Sequence, residues 1–280
     1  MKKIHMLEIE ETIAQLCVEA NLRLPRALCA RMEQVAREEE APLARNIMHD
    51  LLRNLEVAKD MQLPICQDTG MAVVFADIGQ ELCIAGGDFE QAVNRGVARG
   101  YREGYLRASM VSDPLRRENT GNNTPAILHT RLVAGDKLRL TIAPKGAGSE
   151  NQSRLKMFNP AAGQGEMIEF VCQTVRRAGG KPCPPVVLGV GIGGNFEQVA
   201  LLAKRALCRE VGEHNPDPFY AALERELLVA VNALGVGPQG FGGKTTALWV
   251  AVEAAPTHIA ALPFAVNVGC HVNRHATAEL

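Results

Sequence analysis

The sequence has 280 residues, of which 47% are hydrophobic and 22% charged, so it has the composition of a globular protein with a substantial core. Its formal net charge is −1 and its aromatic content is 4%, which argues against nucleic acid or an anionic membrane as a partner. No apolar run approaches the roughly 20 residues of a membrane helix. Because glutamates interrupt the N-terminal stretch, it does not resemble a signal peptide, and we expect a cytoplasmic protein.

Residues 1–60 are predicted to be a helical segment. Apolar residues recur every four positions in its second half and predict one apolar stripe on a helix: Leu43, Ile47, Leu51 and Leu55. Pro25 and Pro42 each lie near the predicted first turn of a helix, where a missing N–H costs nothing.

Residues 61–280 are predicted to alternate between strands and helices. The apolar, β-branched segments predict strands at 71–79, 136–144, 184–194 and 264–270. The amphipathic segments predict helices at 88–103, 165–180, 195–212 and 217–234. Polar, turn-rich residues predict loops at 112–125 and 144–153. We therefore expect an α/β fold over residues 1–280, as one large domain or two interlocked lobes.

A glycine-rich segment, "GVGIGG" (189–194), lies between a predicted strand and a predicted helix. It matches the dinucleotide-binding pattern through Gly189, Gly191 and Gly194. However, it lies deep in the chain, whereas that pattern normally closes the first strand of a βαβ unit. Close packing of the helix on the strand, or an anion at the helix N-terminus, is the alternative interpretation.

A second glycine-rich segment, "GPQGFGGKTT" (237–246), resembles a phosphate-binding loop. The pattern requires glycine at position 238, which is proline, so we reject a nucleoside triphosphate site. A turn that holds Lys244 near an anion remains open.

The eight cysteines fall into two groups. Five have apolar neighbours in predicted helices or beside a strand and are predicted to be core residues: Cys17, Cys29, Cys83, Cys172 and Cys208. Cys66, Cys183 and Cys270 instead lie at chain breaks, in "PICQDTG", "GKPCPPV" and "NVGCHVNR". Thiols on rigid, irregular backbone suit metal ligation, but the local context leaves metal binding and packing both open because the spacings are long.

Five motifs in order then indicate a family: "PICQDTG", "ENTGNNTPA", "PKGAGSENQS", "CPPVVLGVGIGG" and "VNVGCHVNRHAT". This set resembles the iron–sulfur class of fumarate hydratases, which includes L-tartrate dehydratase. The resemblance runs from about residue 40 to the end of the sequence. It implies an α subunit, equivalent to the N-terminal domain of single-chain members, with a β subunit that carries the C-terminal catalytic domain and an α2β2 assembly.

The resemblance also implies a 4Fe-4S cluster ligated by Cys66, Cys183 and Cys270. Three thiolates leave one iron without a protein ligand, and such an iron is a Lewis acid for a substrate carboxylate and hydroxyl. A cluster with four cysteine ligands would suit electron transfer instead.

Gln67 and Asp68 match family residues that contact the substrate. Asp68 is a candidate proton donor or a group that orients the leaving hydroxyl. The alternative interpretation is an aspartate that merely caps the turn before Thr69 and Gly70.

Four further positions match the family's site by motif. Arg107 is expected to grip a substrate carboxylate through its planar guanidinium. Gly148 is expected to present its N–H to the other carboxylate, and Lys145 adds positive charge without an assigned role. His258 lies where the family has an active-site histidine, although a lone histidine is more often structural.

The expected reaction is the reversible hydration of fumarate, a small dicarboxylate, to (S)-malate. The residues of the motif "KGAGSEN" resemble those of fumarate hydratases more than those of tartrate dehydratases. Dehydration of L-tartrate is the alternative reaction. The family's base lies in the C-terminal domain, so we expect negligible activity from this chain alone. A non-catalytic redox iron–sulfur protein and a nicotinamide-dependent dehydrogenase are alternatives from other classes.

Overall fold

The computed structural model describes residues 2–280 and has an α/β fold, as predicted. The helices are, in chain order, α1 (Met6–Leu22), α2 (Arg26–Glu38), α3 (Pro42–Met61), α4 (Phe89–Glu103), the short α5 (Ala147–Glu150), α6 (Gln164–Ala178), α7 (Phe196–Ala206) and α8 (Pro218–Asn232). The strands are β1 (Lys3–His5), β2 (Met71–Gly79), β3 (Cys83–Ala85), β4 (Ile127–Val133), β5 (Leu138–Lys145), β6 (Arg154–Phe158), β7 (Val186–Gly194), β8 (Ala247–Thr257), β9 (Leu262–Gly269) and β10 (Ala276–Glu279).

The chain divides into two compact units, each built from separate stretches of sequence. The first unit comprises residues 2–25, Leu55–Ala147 and Arg274–Leu280. The second unit comprises Arg26–Asn54 and Gly148–Asn273. Each unit has its own sheet and its own hydrophobic core.

The core of the first unit lies between two helices and one sheet. The sheet has the strand order β10-β5-β2-β4, in which β5 is antiparallel to β10 and β2, and β4 is parallel to β2. α1 and α4 pack against each other over one face of this sheet. Alternate residues of two central strands point into this core: Ala72, Val74, Ala76, Leu138, Leu140 and Ile142.

The second unit has helices on both faces of the sheet β6-β9-β7-β8. α6 and α8 share a core with one face, whereas α7 packs on the other. Phe158, Phe170 and Phe264 meet edge to face in the core, with ring centroids 5.7–5.9 Å apart, which is a favourable arrangement for aromatic rings.

The "GVGIGG" segment is explained by this packing. Its aliphatic residues alternate with the glycines along β7, so the aliphatic side chains enter the core while the glycines face α7. A Cβ atom on Gly189 would lie 2.1 Å from the carbonyl oxygen of Ala203, and one on Gly191 would lie 2.2 Å from that of Val199. Close approach of the helix to the strand therefore requires both glycines.

Lys244 is engaged by acidic residues of its own unit. The buried Glu39 carboxylate accepts a hydrogen bond from the Lys244 N–H at 2.9 Å, and the Lys244 ammonium pairs with Glu40. The "GPQGFGGKTT" turn is thus held by protein carboxylates.

Several elements differ from the sequence prediction. The segment 144–153 contains the short helix α5, and Ala276–Glu279, for which no element is predicted, form the edge strand β10. The strands β1, β3, β4, β6 and β8 were not predicted either. β4 lies at a sheet edge and is largely exposed, and its residues do not alternate between apolar and polar, so the sequence pattern does not predict it. On α3, Leu43 is 56% exposed and the most buried positions are Ala44, Met48 and Ala58.

Within residues 2–280, no helix combines the length and the apolar character that crossing a membrane requires.

Candidate functional site

The bend that carries Cys66 follows the end of α3 at Met61. The Ile65 N–H donates to the carbonyl oxygen of Asn21 at 3.0 Å, which ties the bend to the end of α1. Cys66 is partly exposed, and its Sγ lies 3.3 Å from Oε1 of the exposed Gln67. Both side chains are therefore accessible at the surface of the first unit.

The Asp68 carboxylate is fixed by two main-chain N–H groups. Oδ1 accepts from Gly70 at 3.1 Å, and Oδ2 accepts from Ala147 at 3.0 Å. The first bond is the turn cap of the alternative interpretation. The second reaches the "KGAGSEN" loop, so Asp68 joins two motifs that lie 79 residues apart.

The bend contains the buried Thr69, and three buried side chains from elsewhere in the unit, Tyr101, Asn123 and Arg274, form hydrogen bonds to its main chain. Thr69 is 1%, Tyr101 2%, Asn123 0% and Arg274 5% exposed. The Tyr101 hydroxyl lies 2.9 Å from the carbonyl oxygens of Thr69 and Gly70, and the Asn123 amide donates to Gly70 at 3.1 Å. Arg274 donates from Nη2 to the carbonyl oxygen of Asp68. These bonds satisfy the main-chain acceptors of an irregular segment and fix its conformation.

Arg107 and Lys145 flank the same bend. The Arg107 N–H donates to the Thr69 hydroxyl at 2.9 Å, and the hydroxyl donates to the Arg107 carbonyl at 3.0 Å. The Arg107 side chain is exposed, whereas Lys145 is buried at the end of β5. Gly70 has φ +73°, and a Cβ atom there would lie 2.6 Å from the Lys145 carbonyl carbon, so the bend packs directly on the β5 backbone.

Cys183 and Cys270 are brought together by strand register in the second unit. β7 and β9 are antiparallel with Val187 opposite Gly269, so the beginning of β7 and the end of β9 lie side by side at the same end of these strands. Cys183 precedes β7, and Cys270 directly follows β9. The carbonyl oxygen of Cys183 accepts from the His271 N–H at 3.3 Å and lies 2.9 Å from the ring Nδ1 of His271.

The loop around Cys183 is held in an unusual conformation. Cys183 has φ +54°, a region that non-glycine residues rarely occupy outside constrained sites, and its side chain is exposed. Gln239 donates from its main-chain N–H and from its amide to the carbonyl oxygen of Pro184, at 2.7 and 2.8 Å. The "GPQGFGG" turn therefore supports the Cys183 loop.

A second network connects the "GSENQS" loop to the strand before Cys270. The Asn267 amide donates to Glu150 Oε2 at 2.9 Å and to the Ser153 hydroxyl at 2.8 Å. The Ser153 hydroxyl also accepts from the Val268 N–H at 3.0 Å, and Lys204 pairs with Glu150. The exposed Gly148 lies in α5, beside these residues in sequence.

His258 lies far from Cys270 within the second unit. It occupies the turn between β8 and β9, where its ring Nδ1 accepts from the Ala260 N–H at 3.1 Å. Cys270 follows the opposite end of β9, which has eight residues. At about 3.3 Å per residue the strand separates the two positions by about 26 Å. The structure does not bring these two predicted site residues together.

Of the five cysteines predicted to be core residues, two are buried, Cys17 and Cys172, and three are of intermediate exposure, Cys29, Cys83 and Cys208. Burial raises the pKa of the Cys17 thiol to about 12 and also raises the pKa of Cys172, as expected for core thiols. Cys183 is exposed, and Cys66 and Cys270 are of intermediate exposure, so exposure separates the predicted ligands from Cys17 and Cys172 only. In donor chemistry and accessibility the predicted ligands fit an iron–sulfur cluster.

Within residues 2–280, however, there is no group of at least three His, Cys, Asp or Glu side chains that lie close enough together to hold a metal ion. The three-cysteine ligand set therefore stays a prediction.

Sequence reasoning missed the residues that support these loops. Thr69, Asn123 and Arg274 lie inside the quoted motifs, so their position in a motif was the available signal. Tyr101 and Gln239 lie outside the motifs, in a helix and in the rejected phosphate loop, and only their contacts reveal them.

We predict a pH-dependent stability from His275. Burial lowers the pKa of its ring to about 4, and its Nδ1 has no hydrogen-bond partner among residues 2–280. The unfolded chain takes up this proton near the ordinary pKa of about 6.5, so it holds more protons than the folded chain between these values. The contribution is fully present above about pH 6.5 and lost towards pH 4, with a total of about 3 kcal/mol.

Urea unfolding across this pH range should therefore show a steeper loss of stability in the wild-type chain than in His275→Gln. Equal slopes for the two proteins would contradict the assignment.

Comparison with known proteins identifies the family. A family model described as fumarate hydratase (fumerase) matches residues 10–279. A protein of Methanocaldococcus jannaschii, provisionally named an L(+)-tartrate dehydratase subunit alpha, is 37% identical over 280 residues, which cover 98% of each chain. The L(+)-tartrate dehydratase subunit alpha of Escherichia coli K12 is 28% identical over 273 residues, covering 96% of this chain and 90% of the relative. The chain therefore belongs to the fumarate hydratase (fumerase) family.

Proposed function

We propose that this chain is the α subunit of a hydro-lyase that removes water from, or adds it to, a small dicarboxylate. The observation that carries the proposal is the family match over residues 10–279, which includes all five motifs. The fixed Asp68 carboxylate and the exposed Arg107 beside it are consistent with a site for a hydroxy diacid.

L-Tartrate is the favoured substrate, in preference to fumarate. The sequence motif "KGAGSEN" pointed to fumarate, but the relatives that match nearly the whole chain carry tartrate dehydratase names. Loss of water from tartrate gives the enol of oxaloacetate, which then becomes the ketone. The interconversion of malate and fumarate would use the same protein groups. Malate differs from tartrate in having one hydroxyl fewer.

Cys66, Cys183 and Cys270 are the residues that would hold a 4Fe-4S cluster. When bound, such a cluster supplies an iron without a cysteine ligand, which is a Lewis acid for the substrate hydroxyl and carboxylate. The partial exposure of these three residues and their place at chain breaks support this ligand set over the buried Cys17 and Cys172.

The other residues would bind and orient the substrate. The Arg107 guanidinium suits one carboxylate and the Gly148 N–H suits the other, while Lys145 adds positive charge against the diacid. Asp68 would either donate the proton with which the hydroxyl leaves as water or orient that hydroxyl, with the Gln67 amide beside it. His258 stays a predicted catalytic residue, and its turn lies at the end of β9 opposite to Cys270.

A β subunit would complete the enzyme, in an α2β2 assembly in the cytoplasm. The relatives are named as alpha subunits, which supports a partner chain. The base that removes the proton from the neighbouring carbon would belong to that partner, so the α chain alone should be inactive.

The proposal is tested by anaerobic purification of the chain with its partner subunit. We expect the pair to dehydrate L-tartrate with a kcat/KM at least about tenfold above the values for malate and fumarate. The chain alone should show no turnover. Faster turnover of fumarate or malate would assign the fumarate hydratase activity instead, and full activity of the isolated chain would overturn the division between subunits.

A redox iron–sulfur protein remains the second candidate. It predicts a cluster that is reduced and reoxidised reversibly, a Mössbauer spectrum that does not change when tartrate or malate is added, and no turnover of any diacid. An iron signal that shifts on adding the diacid would exclude it.

A further inference from the structure

We propose that Thr69 is a positioning residue that connects Arg107 to Asp68, so that both side chains engage one diacid. This inference rests on the proposed function. Thr69 follows Asp68 in the sequence and contacts Arg107. The sequence analysis assigned no role to the Thr69 side chain.

The connection is a pair of hydrogen bonds made by one hydroxyl. The Thr69 Oγ1 accepts from the Arg107 N–H at 2.9 Å and donates to the Arg107 carbonyl oxygen at 3.0 Å. Both partners are main-chain groups, so the hydroxyl fixes the Arg107 backbone rather than its side chain.

These bonds are important because Arg107 lies outside regular structure. The segment after α4 has no strand or helix ladder up to Met110, so its main-chain groups are bound by individual contacts. The Leu106 N–H donates to the Tyr101 carbonyl oxygen at 2.8 Å, and the Ser109 N–H donates to the Asn123 side chain at 2.7 Å. The Arg107 carbonyl has one further contact, a hydroxyl donor from Ser109 at 3.4 Å, which is long for an O–H donor. Thr69 is thus the main anchor of the Arg107 N–H and carbonyl groups, while Asn119 and Asn123 hold Ala108 and Ser109.

Thr69 itself cannot move easily. It is 1% exposed, and its carbonyl oxygen lies 2.9 Å from the Tyr101 hydroxyl. On one side the neighbouring Asp68 carbonyl is bound by Arg274, and on the other the Gly70 carbonyl is bound by Asn123. A buried hydrogen-bond network of this kind favours one conformation, and Nε and Nη1 of Arg274 are its two atoms without a partner among residues 2–280.

The Arg107 guanidinium is available to an anion. In the part of the chain that the structure describes, residues 2–280, it forms no hydrogen bond or ion pair, and the side chain is exposed. By contrast, Arg95, Arg99 and Arg131 of the same unit pair with carboxylates. A rigid backbone beneath a guanidinium without a partner is the arrangement expected of a preorganised carboxylate site.

The test compares Thr69→Val, which has nearly the same shape without the hydroxyl, with Thr69→Ser, which keeps it. Thr174→Val is the matched control, because Thr174 is 1% exposed and its hydroxyl donates to the Phe170 carbonyl inside α6. In the complex with the partner subunit, Thr69→Val should raise KM for the diacid about tenfold and lower kcat less, because ground-state binding is lost. Thr69→Ser and Thr174→Val should keep KM within about threefold of wild type.

A double-mutant cycle identifies the route of the effect. Arg107→Lys keeps a charge but loses the planar fork, so carboxylate binding through that fork is already weakened. If Thr69 acts through Arg107, Thr69→Val should raise KM by clearly less in this background than in the wild type. An equal rise in both backgrounds, an unchanged KM in Thr69→Val, or a Thr69→Ser as defective as Thr69→Val would overturn the proposal.

Amide hydrogen exchange separates this proposal from the proposed function. In the purified chain, Thr69→Val should speed exchange at residues 106–110, whereas Thr174→Val should leave it unchanged. If no diacid is turned over but this exchange difference is present, the proposed function fails while the anchoring role of Thr69 stands. If exchange at these residues is unchanged, the anchoring role is wrong whatever the activity.

Discussion

Cys183→Ser should nearly abolish iron retention and lower kcat by a factor of about 10³ or more, because Lewis-acid stabilisation is worth several kcal/mol. Cys183 is exposed, with φ +54°. It precedes β7 and lies near Cys270, which follows the neighbouring strand β9. A serine would fit this position but is a poor ligand for iron. The measurements are iron and sulfide content after anaerobic reconstitution, and turnover of L-tartrate by the complex.

Cys172→Ala provides the matched control in the same unit. Cys172 is buried on α6, and burial raises the pKa of its thiol, so it is unsuited to ligation. This variant should keep its iron and lose only a little stability. Retention of iron and activity by Cys183→Ser, or equal loss from both variants, would show that the predicted ligand set is wrong.

Asp68→Asn should lower kcat by about 10²- to 10⁴-fold with a much smaller change in KM, which is the usual range for removing a group that transfers a proton. Asparagine keeps the shape, but its NH₂ group would face one of the two main-chain donors that now point at the carboxylate, Gly70 or Ala147. The variant therefore removes the charge and weakens one of the bonds that fix the bend. Steady-state kinetics and thermal unfolding of the complex measure the two effects separately.

The alternative role of Asp68 makes a different prediction. If Asp68 only caps its turn, the substitution should lower the unfolding temperature while kcat stays within about threefold of wild type. Asp60→Asn is the control for removal of a charge near the bend, because Asp60 is exposed on the last turn of α3. It should change neither quantity.

The helices could be predicted well from the sequence because their signals are local. α4 begins after Asp88, whose side chain accepts from the Gln91 N–H, and α8 begins with Pro218 after the cap Asp217. The strands were predicted less completely. β2, β7 and β9 are buried and strongly apolar, but β4 and β10 are exposed edge strands that exist because a neighbour is available to pair with them.

Residue types and local patterns were enough to predict the family, the α/β class and the chemistry of the proposed ligands. The breaks at Cys66, Cys183 and Cys270 follow from nearby proline and glycine, and the order of the motifs does not depend on the fold. These are properties of residue type and local backbone preference, which can be evaluated over a few positions of the chain.

Which of these residues lie close together could be seen only in the folded chain. The pairing of Val187 with Gly269 joins Cys183 to Cys270, and the same strand β9 places His258 at the opposite end. Strand register joins residues that are distant in the chain, and so do the bonds of Thr69 to Arg107 and of Arg274 to Asp68, which span 38 and 206 residues. Such contacts depend on how whole elements pack, because closing a long loop is favourable only when many contacts form together, and no short stretch of sequence contains that information.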